Sequence, residues 1–288
     1  MDSVEIPTPD GPLHALRSGS QDPAAPVVLA AHGITASAMA FAALARALPA
    51  GWTLLAVDLR GRGRSNGLPG PFGMDRHAED LATAARHLGR PVVLAGQSMG
   101  AYAALRAAVR EPGLYRRLVL IDGGLPLPVP PGADPAAVLE ATLGPAITRL
   151  RMTFPTEDAY VDVFRNHPAL AADWSADLDA YARYDATGDP GSIRSRVSPA
   201  AVAEDGRDLL VNAGSFGDDL RALRLPAALL HAPRGMFGQE PGLLPQPVVD
   251  HWTAQTALRA ELIPDCNHYT ILTTPRATAR LAEVLTAS

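Results

Sequence analysis

The sequence predicts an α/β protein built on a mostly parallel eight-stranded sheet, with helices on both faces and a helical cap insertion. Segments with strand-like and helix-like patterns alternate through residues 26–121 and again through residues 225–286. This alternation is typical of a parallel sheet covered by helices on both sides. About one hundred residues between the two parts contain helical patterns but no convincing strand. An insertion of this length predicts a cap over one edge of the sheet.

Eight short apolar segments predict the strands. The first two flank the turn-like sequence Pro9-Asp10-Gly11-Pro12 and are expected to pair in antiparallel fashion. The predicted strands are residues 4–6, 13–17, 26–31, 52–57, 91–95, 117–121, 225–231 and 258–263. Apolar and alanine positions at helical spacing predict the core helices, which are residues 37–48, 75–88, 99–110, 247–255 and 275–286. In such a sheet the loops after the strands meet at one edge, where chemistry is expected.

The interruption divides the chain into two predicted domains. Residues 1–123 and 224–288 would form the core domain, and residues 124–223 the cap. After a proline-rich stretch at residues 125–135, we expect cap helices at residues 136–150, 156–167, 172–186 and 199–211. Six aromatic side chains of the cap are candidates to line a pocket, with packing between cap helices as the alternative for each: Phe154, Tyr160, Phe164, Trp174, Tyr181 and Tyr184.

The composition excludes several classes of function. Hydrophobic residues make up 47% of the 288 residues and charged residues 19%, so a large core is expected and disorder is not. The net charge of −5 argues against a nucleic-acid partner. The chain contains no lysine, which excludes a lysine Schiff base and the lysine of a P-loop.

Cysteine usage and hydropathy indicate a location. Cys266 is the single cysteine, so no intrachain disulfide is expected. No apolar run approaches the ~20 residues that cross a bilayer, and the first residues lack the basic and apolar regions of a signal peptide. We therefore expect a cytoplasmic protein that has a small-molecule substrate, no membrane partner, no cofactor and no metal.

The segment from residue 91 to residue 110 contains the candidate nucleophile. A buried strand and an alanine-rich helix flank the pentapeptide Gly96-Gln97-Ser98-Met99-Gly100, which has the form GxSxG. In this context the chain turns sharply from strand to helix and leaves the serine at the tip in a strained conformation. The glycines remove side chains that would collide in so tight a bend. Ser98 is therefore the expected nucleophile.

A serine hydroxyl needs a base within hydrogen-bond reach to act as a nucleophile at neutral pH. Among the eight histidines, only His268 lies in a loop directly after the last predicted strand, at the expected catalytic edge. We therefore expect His268 to be the general base. His231 ends a strand, and a surface or packing role is expected for His14, His77, His87, His167 and His251.

Four stretches together resemble the α/β-hydrolase fold family, in its capped form. They are the His32-Gly33 loop, the loop DLRGRGRS at residues 58–65, the turn at Ser98 and the late His268. The resemblance implies a structural role for His32. It also implies an oxyanion hole made by the backbone N–H groups of Ile34 and Met99. For the loop at residues 58–65 we expect structural hydrogen bonds rather than catalysis.

The residue that orients the base has two candidates. In most of the family it is an aspartate soon after the penultimate strand, but here that segment contains no carboxylate before Glu240. Some relatives, including haloalkane dehalogenases and certain lactone hydrolases, place the acid one strand earlier, where this chain has Asp122. A strand end is more rigid than a proline-rich loop. We therefore favour Asp122 over Glu240.

The resulting functional hypothesis is a metal-free serine hydrolase that cleaves a carboxylic ester or lactone. Ser98 attacks, His268 transfers the proton, and Asp122 holds the imidazole tautomer. Hydrolysis of a carbon–carbon bond and perhydrolysis use the same residues and stay open as alternatives. A catalytically silent ligand-binding protein of the same fold is the alternative from a different class. The sequence predicts neither the physiological substrate nor the oligomeric state.

Overall fold

A computed structural model describes residues 1–127, 132 and 134–287 of the chain. Part of the proline-rich stretch predicted at residues 125–135 lies outside these described residues. The strands are β1 (Asp2–Thr8), β2 (Gly11–Gly19), β3 (Val27–Ala31), β4 (Thr53–Val57), β5 (Val92–Gln97), β6 (Tyr115–Ile121), β7 (Ala186–Thr187), β8 (Arg194–Ser195), β9 (Ala227–His231) and β10 (Arg259–Leu262). The helices are α1 (Ala42–Ala47), α2 (Met74–His87), α3 (Met99–Arg110), α4 (Pro135–Leu150), α5 (Glu157–Arg165), α6 (Ala176–Asp185), α7 (Pro199–Val211), α8 (Ala213–Ala222), α9 (Gln246–Gln255) and α10 (Pro275–Thr286).

The predicted eight-stranded, mostly parallel sheet is confirmed. Its strand order is β1-β2-β4-β3-β5-β6-β9-β10. Strand β2 is antiparallel to its two neighbours, β1 and β4. The pairs from β4 through β10 are parallel. Because β3, β5 and β6 are adjacent, the loops that follow them meet at the same sheet edge.

Helices cover both faces of the sheet, and the side-chain alternation of the strands explains why. On one face Leu29 of β3 belongs to a cluster with Tyr102 and Leu105 of α3. On the other face Val28 belongs to a cluster with Leu281 of α10 and Phe41, which precedes α1. Every residue of β3 and β4 is buried. Such fully apolar strands are typical of parallel sheets covered on both sides.

The insertion between β6 and β9 is mainly helical, as predicted, but it differs in detail. Helices α4 to α7 lie close to the predicted ranges, whereas α8 was not predicted. The expectation that this segment contains no strand is wrong, because β7 and β8 form an antiparallel pair. Two residues per strand are too few to produce a recognisable alternation in the sequence. In the described part of the chain, no helix combines the length and apolar character needed to cross a membrane.

Candidate active site

The turn between β5 and α3 has the geometry that the GxSxG sequence predicts. Ser98 has φ 54° and ψ −124°, a conformation that costs free energy for a residue with a side chain. A Cβ at Gly96 would lie 2.2 Å from the Gly100 carbonyl oxygen, and one at Gly100 would lie 2.2 Å from that of Ala31. Only glycine fits at either position. The Ser98 N–H donates to the Ile121 carbonyl at 3.0 Å, which holds the turn against β6.

A hydrogen-bonded chain runs from Ser98 through His268 to Asp122. His268 Nε2 lies 3.0 Å from Ser98 Oγ, and His268 Nδ1 lies 2.6 Å from Asp122 Oδ2. The carboxylate can only accept, so Nδ1 carries the proton and Nε2 is free to accept from the serine hydroxyl. Asp122 Oδ1 accepts from the Ala232 N–H at 3.0 Å. These contacts fix the imidazole in the tautomer that a general base requires.

The structure brings Asp122, rather than Glu240, to His268. Asp122 follows β6 directly, is fully buried and has φ 44°. Its N–H donates to the Leu230 carbonyl at 2.8 Å, which ties the turn to β9. Glu240 is exposed. The hydrogen-bonded side chains of His268 and Asp122 are both buried, with exposures of 3% and 0%.

The predicted oxyanion donors lie in the loop after β3 and at the first residue of α3. Within the described residues, neither the Ile34 N–H nor the Met99 N–H has a hydrogen-bond partner. Met99 is the first residue of α3, where a helix leaves its N–H groups unsatisfied. A Cβ on Gly33 would lie 3.2 Å from Ser98 Cβ, so the loop after β3 passes directly beside the serine. Both free amides are thus available to a developing negative charge.

Two further side chains at this site were not predicted. Gln97 Nε2 donates to the His268 carbonyl oxygen at 3.0 Å and so holds the histidine loop. Arg62 Nε donates to the Ile34 carbonyl oxygen at 2.9 Å, and its Nη2 approaches Met99 Sδ at 3.8 Å. Both contacts join residues that are distant in the chain. The only signal in the sequence was that both lie inside family-like motifs.

The loop at residues 58–65 makes the expected structural hydrogen bonds. Asp58 accepts from the Ala38 N–H at 2.8 Å and from His14 Nδ1 at 2.9 Å. Arg60 forms a two-pronged pair with Asp80, at 3.0 and 2.9 Å. His32 is also structural in its contacts, because its Nδ1 lies 2.8 Å from the Gly33 carbonyl and its Nε2 accepts from the Leu59 N–H.

Cys266 lies close to His268 in the chain but is unsuited to act as a second nucleophile. Its thiol is fully buried and donates to the Ile263 carbonyl oxygen at 3.2 Å. Burial, together with the nearby negative charge of Asp122, raises the pKa of this thiol to about 12. A thiolate is therefore scarce at neutral pH. This agrees with the expectation that Cys266 is a small buried side chain.

A cavity of about 120 Å³ opens above Ser98 and His268. Of the six aromatic residues proposed for a pocket, Phe164 and Tyr181 line this cavity. The other four make packing or polar contacts elsewhere. Phe154 packs against Tyr160, Trp174 lies beside Arg165, and Tyr184 donates to Asp58 at 2.6 Å. The insertion also contributes His167, which was expected to have a surface or packing role, and Arg149.

Metal-ligating residues do not cluster in the described part of the chain. No group of three or more histidine, cysteine, aspartate or glutamate side chains there could hold a metal ion. Near Ser98 the structure brings together a hydroxyl, an imidazole with its carboxylate, and two backbone N–H donors, an arrangement that can perform acyl transfer.

Comparison with known proteins places this chain in a family. The profile described as the alpha/beta hydrolase family matches residues 27–281. The chain is 37% identical over 98 residues to 2-(acetamidomethylene)succinate hydrolase of Mesorhizobium japonicum, a match that spans 34% of this chain and 35% of that protein. The match thus covers about a third of the length of that relative.

Solved structures extend the likeness over the whole chain. A crystal structure of E-2-(acetamidomethylene)succinate hydrolase superposes with a TM-score of 0.81 at 22% identity, and covers 100% of this chain and 99% of that one. The thioesterase domain from the curacin biosynthetic pathway superposes with a TM-score of 0.73 at 19% identity, with 99% of each chain covered. At these identities the superpositions establish the fold. Since the family profile spans most of the sequence, the chain belongs to the alpha/beta hydrolase family.

Proposed function

We propose that this protein is a serine hydrolase that cleaves a carboxylic ester or lactone through an acyl-enzyme on Ser98. The observation that carries the proposal is the chain of hydrogen bonds from Ser98 through His268 to Asp122, at 3.0 and 2.6 Å, beside a cavity. A nucleophile, a base and an oriented carboxylate in this order are what acyl transfer requires.

The proposed reaction has two steps. His268 takes the Ser98 proton as the hydroxyl attacks the carbonyl, and the N–H groups of Ile34 and Met99 stabilise the resulting oxyanion. His268 then protonates the leaving alcohol. In the second step His268 activates a water molecule, which attacks the acyl-enzyme and releases the acid. Asp122 keeps its negative charge throughout and stabilises the imidazolium.

Hydrolase activity is also consistent with the name of the relative that matches a third of this chain, 2-(acetamidomethylene)succinate hydrolase. An acetamido group is an amide of acetic acid, and the two steps above apply to an amide carbonyl as they do to an ester. We therefore place acyl amides beside esters and lactones among the substrates to test.

The decisive experiment is active-site labelling combined with turnover. We expect a fluorophosphonate probe to label wild-type protein on Ser98, and the S98A variant to lose both labelling and hydrolysis of p-nitrophenyl acetate. The expected loss of turnover is about 10⁴-fold or more. S192A serves as the matched control, because Ser192 is exposed, and this variant should retain both signals. If wild-type protein is not labelled and hydrolyses no ester, lactone or amide, the ligand-binding alternative replaces this proposal.

A further inference from the structure

Arg149 has an unusual position for an arginine. It lies in the last turn of α4, is only 5% exposed and lines the cavity that contains Ser98 and His268. It is the one arginine in the described lining of that cavity. Burying a charged side chain is costly unless its hydrogen-bonding groups find partners. The contacts of its guanidinium therefore indicate what the site is built to bind.

One edge of the Arg149 guanidinium is held by the protein. Nη1 pairs with Asp185 Oδ2 at 2.7 Å and also donates to the Tyr160 hydroxyl. The same oxygen of Asp185 accepts from Tyr160 and from Ser195 Oγ. The guanidinium lies over the Phe164 ring, with Cζ 4.7 Å from the ring centroid. These contacts fix the plane of the guanidinium and its direction toward the cavity.

The other edge has no partner among the protein groups that the structure describes. A guanidinium has five N–H donors, and the two of Nη1 have acceptors in Tyr160 and Asp185. In the described residues, Nε and Nη2 donate to no protein atom. Neither is among the polar atoms that are completely shielded from solvent and lack a partner, so both remain accessible. A carboxylate can accept two parallel hydrogen bonds from such an edge.

Two tyrosines bring further free donors to the same cavity. Tyr181 and Tyr269 line the cavity. In the described part of the chain neither hydroxyl has a hydrogen-bond partner, and neither is completely shielded from solvent. Burial raises the pKa of Tyr269 to about 12, so its hydroxyl stays protonated at neutral pH. Burial also raises the pKa of Tyr181. We call Arg149, Tyr181 and Tyr269 the donor cluster.

The surroundings of the donor cluster favour an anion. Burial, followed by the charge of Arg149, lowers the pKa of the neighbouring His167 and so favours its neutral form. Asp177 is the one carboxylate in the described cavity lining, and it is paired with Arg46. Asp185 offsets the charge of Arg149, but it is bonded to the opposite edge of the guanidinium. The free edge thus presents hydrogen-bond donors without a competing acceptor.

The donor cluster lies close to the catalytic groups. The ring centroids of His268 and Tyr269 are 5.3 Å apart, and those of Tyr269 and His167 are 5.6 Å apart. On the far wall, Phe164 packs against Tyr181 with centroids 5.8 Å apart. Tyr269 is therefore the member of the donor cluster that lies beside the His268 imidazole. Ser98 and Arg149 line the same cavity of about 120 Å³, so one small ligand can contact both.

We propose that the donor cluster is a carboxylate subsite, in which Nε and Nη2 of Arg149 bind a carboxylate that the substrate carries away from its scissile carbonyl. The hydroxyls of Tyr181 and Tyr269 complete the hydrogen bonds to the same group. The inference rests on the proposed function, because it names a substrate group for the same cavity. It makes the substrate class monoesters or monoamides of short dicarboxylic acids.

Binding of a non-hydrolysable dicarboxylate tests the subsite without relying on catalysis. Titration calorimetry on the wild-type chain compares succinate with succinamide, its uncharged diamide, and glutarate with glutaramide. We expect at least one dianion to bind about tenfold or more tightly than its diamide, as charge-assisted hydrogen bonds require. Equal binding of each dianion and its diamide would overturn the proposal.

Variants of the cluster assign the effect to its members. Y269F and Y181F should each weaken binding of the dianion several-fold and leave binding of the diamide unchanged. R149M should abolish the preference, and the R149M/D185N double variant keeps this test valid if loss of one charge of the pair prevents folding. R149K retains the charge but not the planar edge, so an intermediate affinity is expected. Unchanged dianion affinity in the double variant contradicts the proposal.

Turnover gives a second and separable readout. Ethyl hydrogen succinate and ethyl 4-methylpentanoate have similar shapes but differ in charge, and we expect the charged ester to have a kcat/KM about tenfold or more higher. This preference should vanish in the R149M/D185N variant. If the protein is neither labelled by the fluorophosphonate probe nor able to hydrolyse any ester, lactone or amide, while succinate still binds in preference to succinamide, the proposed function fails and the carboxylate subsite stands.

Discussion

At the scale of single residues, two members of the proposed catalytic chain have strained backbones. Ser98 and Asp122 have φ values of 54° and 44°, which are unfavourable for residues with a side chain. Each follows a central strand directly, and its N–H is bonded to the neighbouring strand at 3.0 and 2.8 Å. These hydrogen bonds to the sheet stabilise the strained backbone and hold both residues rigidly. A rigid position such as that of Asp122 suits an orienting carboxylate better than the exposed position of Glu240.

The first prediction separates these two acids. D122N should lower kcat for p-nitrophenyl acetate by about 10³- to 10⁴-fold, because an amide that donates to Nδ1 favours the wrong imidazole tautomer. E240Q is the matched control and should retain full activity, since Glu240 is exposed. Steady-state kinetics on both variants checks this. A large loss in E240Q with an active D122N would reverse the assignment.

A second prediction concerns His32 and acid stability. Burial lowers the pKa of His32 to about 4 from its model-peptide value of 6.5. Its Nε2 must be unprotonated to accept from the Leu59 N–H, at 3.0 Å. The unfolded chain thus binds a proton more readily than the folded protein. Neutral His32 therefore contributes about 3 kcal/mol to the free energy of unfolding. This contribution is fully present above pH 6.5 and is lost as the pH falls toward 4.

Urea unfolding between pH 4 and 7.5 measures this loss. The free energy of unfolding of wild-type protein should decrease as the pH is lowered from 7.5 to 4. The decrease should be markedly smaller for H32Q. H87Q is the control, because His87 is exposed, and it should follow the wild-type curve. Parallel curves for H32Q and wild type would show that His32 is not responsible.

At the scale of elements, Arg62 links the catalytic edge to the inserted helices. It is fully buried, donates to the Ile34 carbonyl at 2.9 Å and pairs with Asp205 of α7. Asp205 also accepts from His77 at 3.0 Å. Although burial alone would raise it, the charges of Arg62 and His77 lower the pKa of Asp205 to about 2. The insertion thereby helps to position the loop that carries one oxyanion donor.

The third prediction tests Arg62 as a positioning residue. R62M removes the donor to the Ile34 carbonyl and should lower kcat by about 10- to 100-fold with little change in KM, less than the loss of a whole oxyanion donor. It also leaves Asp205 buried without its partner, which destabilises the fold. The R62M/D205N double variant removes both charges. It should recover stability in urea unfolding while kcat stays low.

The two readouts distinguish positioning from simple stability. If kcat in the double variant returns to the wild-type value together with stability, Arg62 acts only through the fold. R62K keeps the charge near Asp205 and should retain an intermediate kcat. Persistent loss of kcat at wild-type stability supports the positioning role.

The elements show where sequence reasoning succeeds and where it stops. Strong local patterns predicted the eight sheet strands and the nucleophile turn, because alternation and glycine placement are read over a few residues. Helix α8 and the pair β7–β8 have weak local signals and depend on packing. The contacts of Arg62 and Arg149 were missed for another reason. Ile34 lies 28 residues from Arg62, and Asp185 lies 36 residues from Arg149, and a single sequence does not show such pairings.

At the scale of the whole molecule, the insertion contributes to the hydrophobic cluster on one face of the sheet. Phe216 of α8 is fully buried, and its ring centroid is 4.8 Å from that of Tyr102 on α3. Arg106 of α3 bonds to Ser215 at 2.7 Å and to Asp219 of α8 at 2.5 Å. Leu143 and Leu209 of the insertion belong to the same cluster as the sheet residues. We therefore propose that core and cap differ in their roles at the active site but are not separate folding units. We expect the two parts to unfold together.

The final prediction tests that cooperativity with a buried and an exposed position of the same segment. F216A should lower the free energy of unfolding by about 3–5 kcal/mol, because it leaves a cavity between α8 and α3. V211A should change it by no more than about 0.5 kcal/mol, since Val211 is 59% exposed. Far-UV circular dichroism and tryptophan fluorescence should give coincident transitions for wild type and for both variants, with calorimetric and van't Hoff enthalpies in agreement. Trp174 reports on the insertion and Trp52 on the sheet region, whereas Trp252 packs against Arg221 of α8 and reports on the boundary between them. Two separate transitions, with only the insertion's transition shifted by F216A, would show instead that the inserted helices fold as an independent unit.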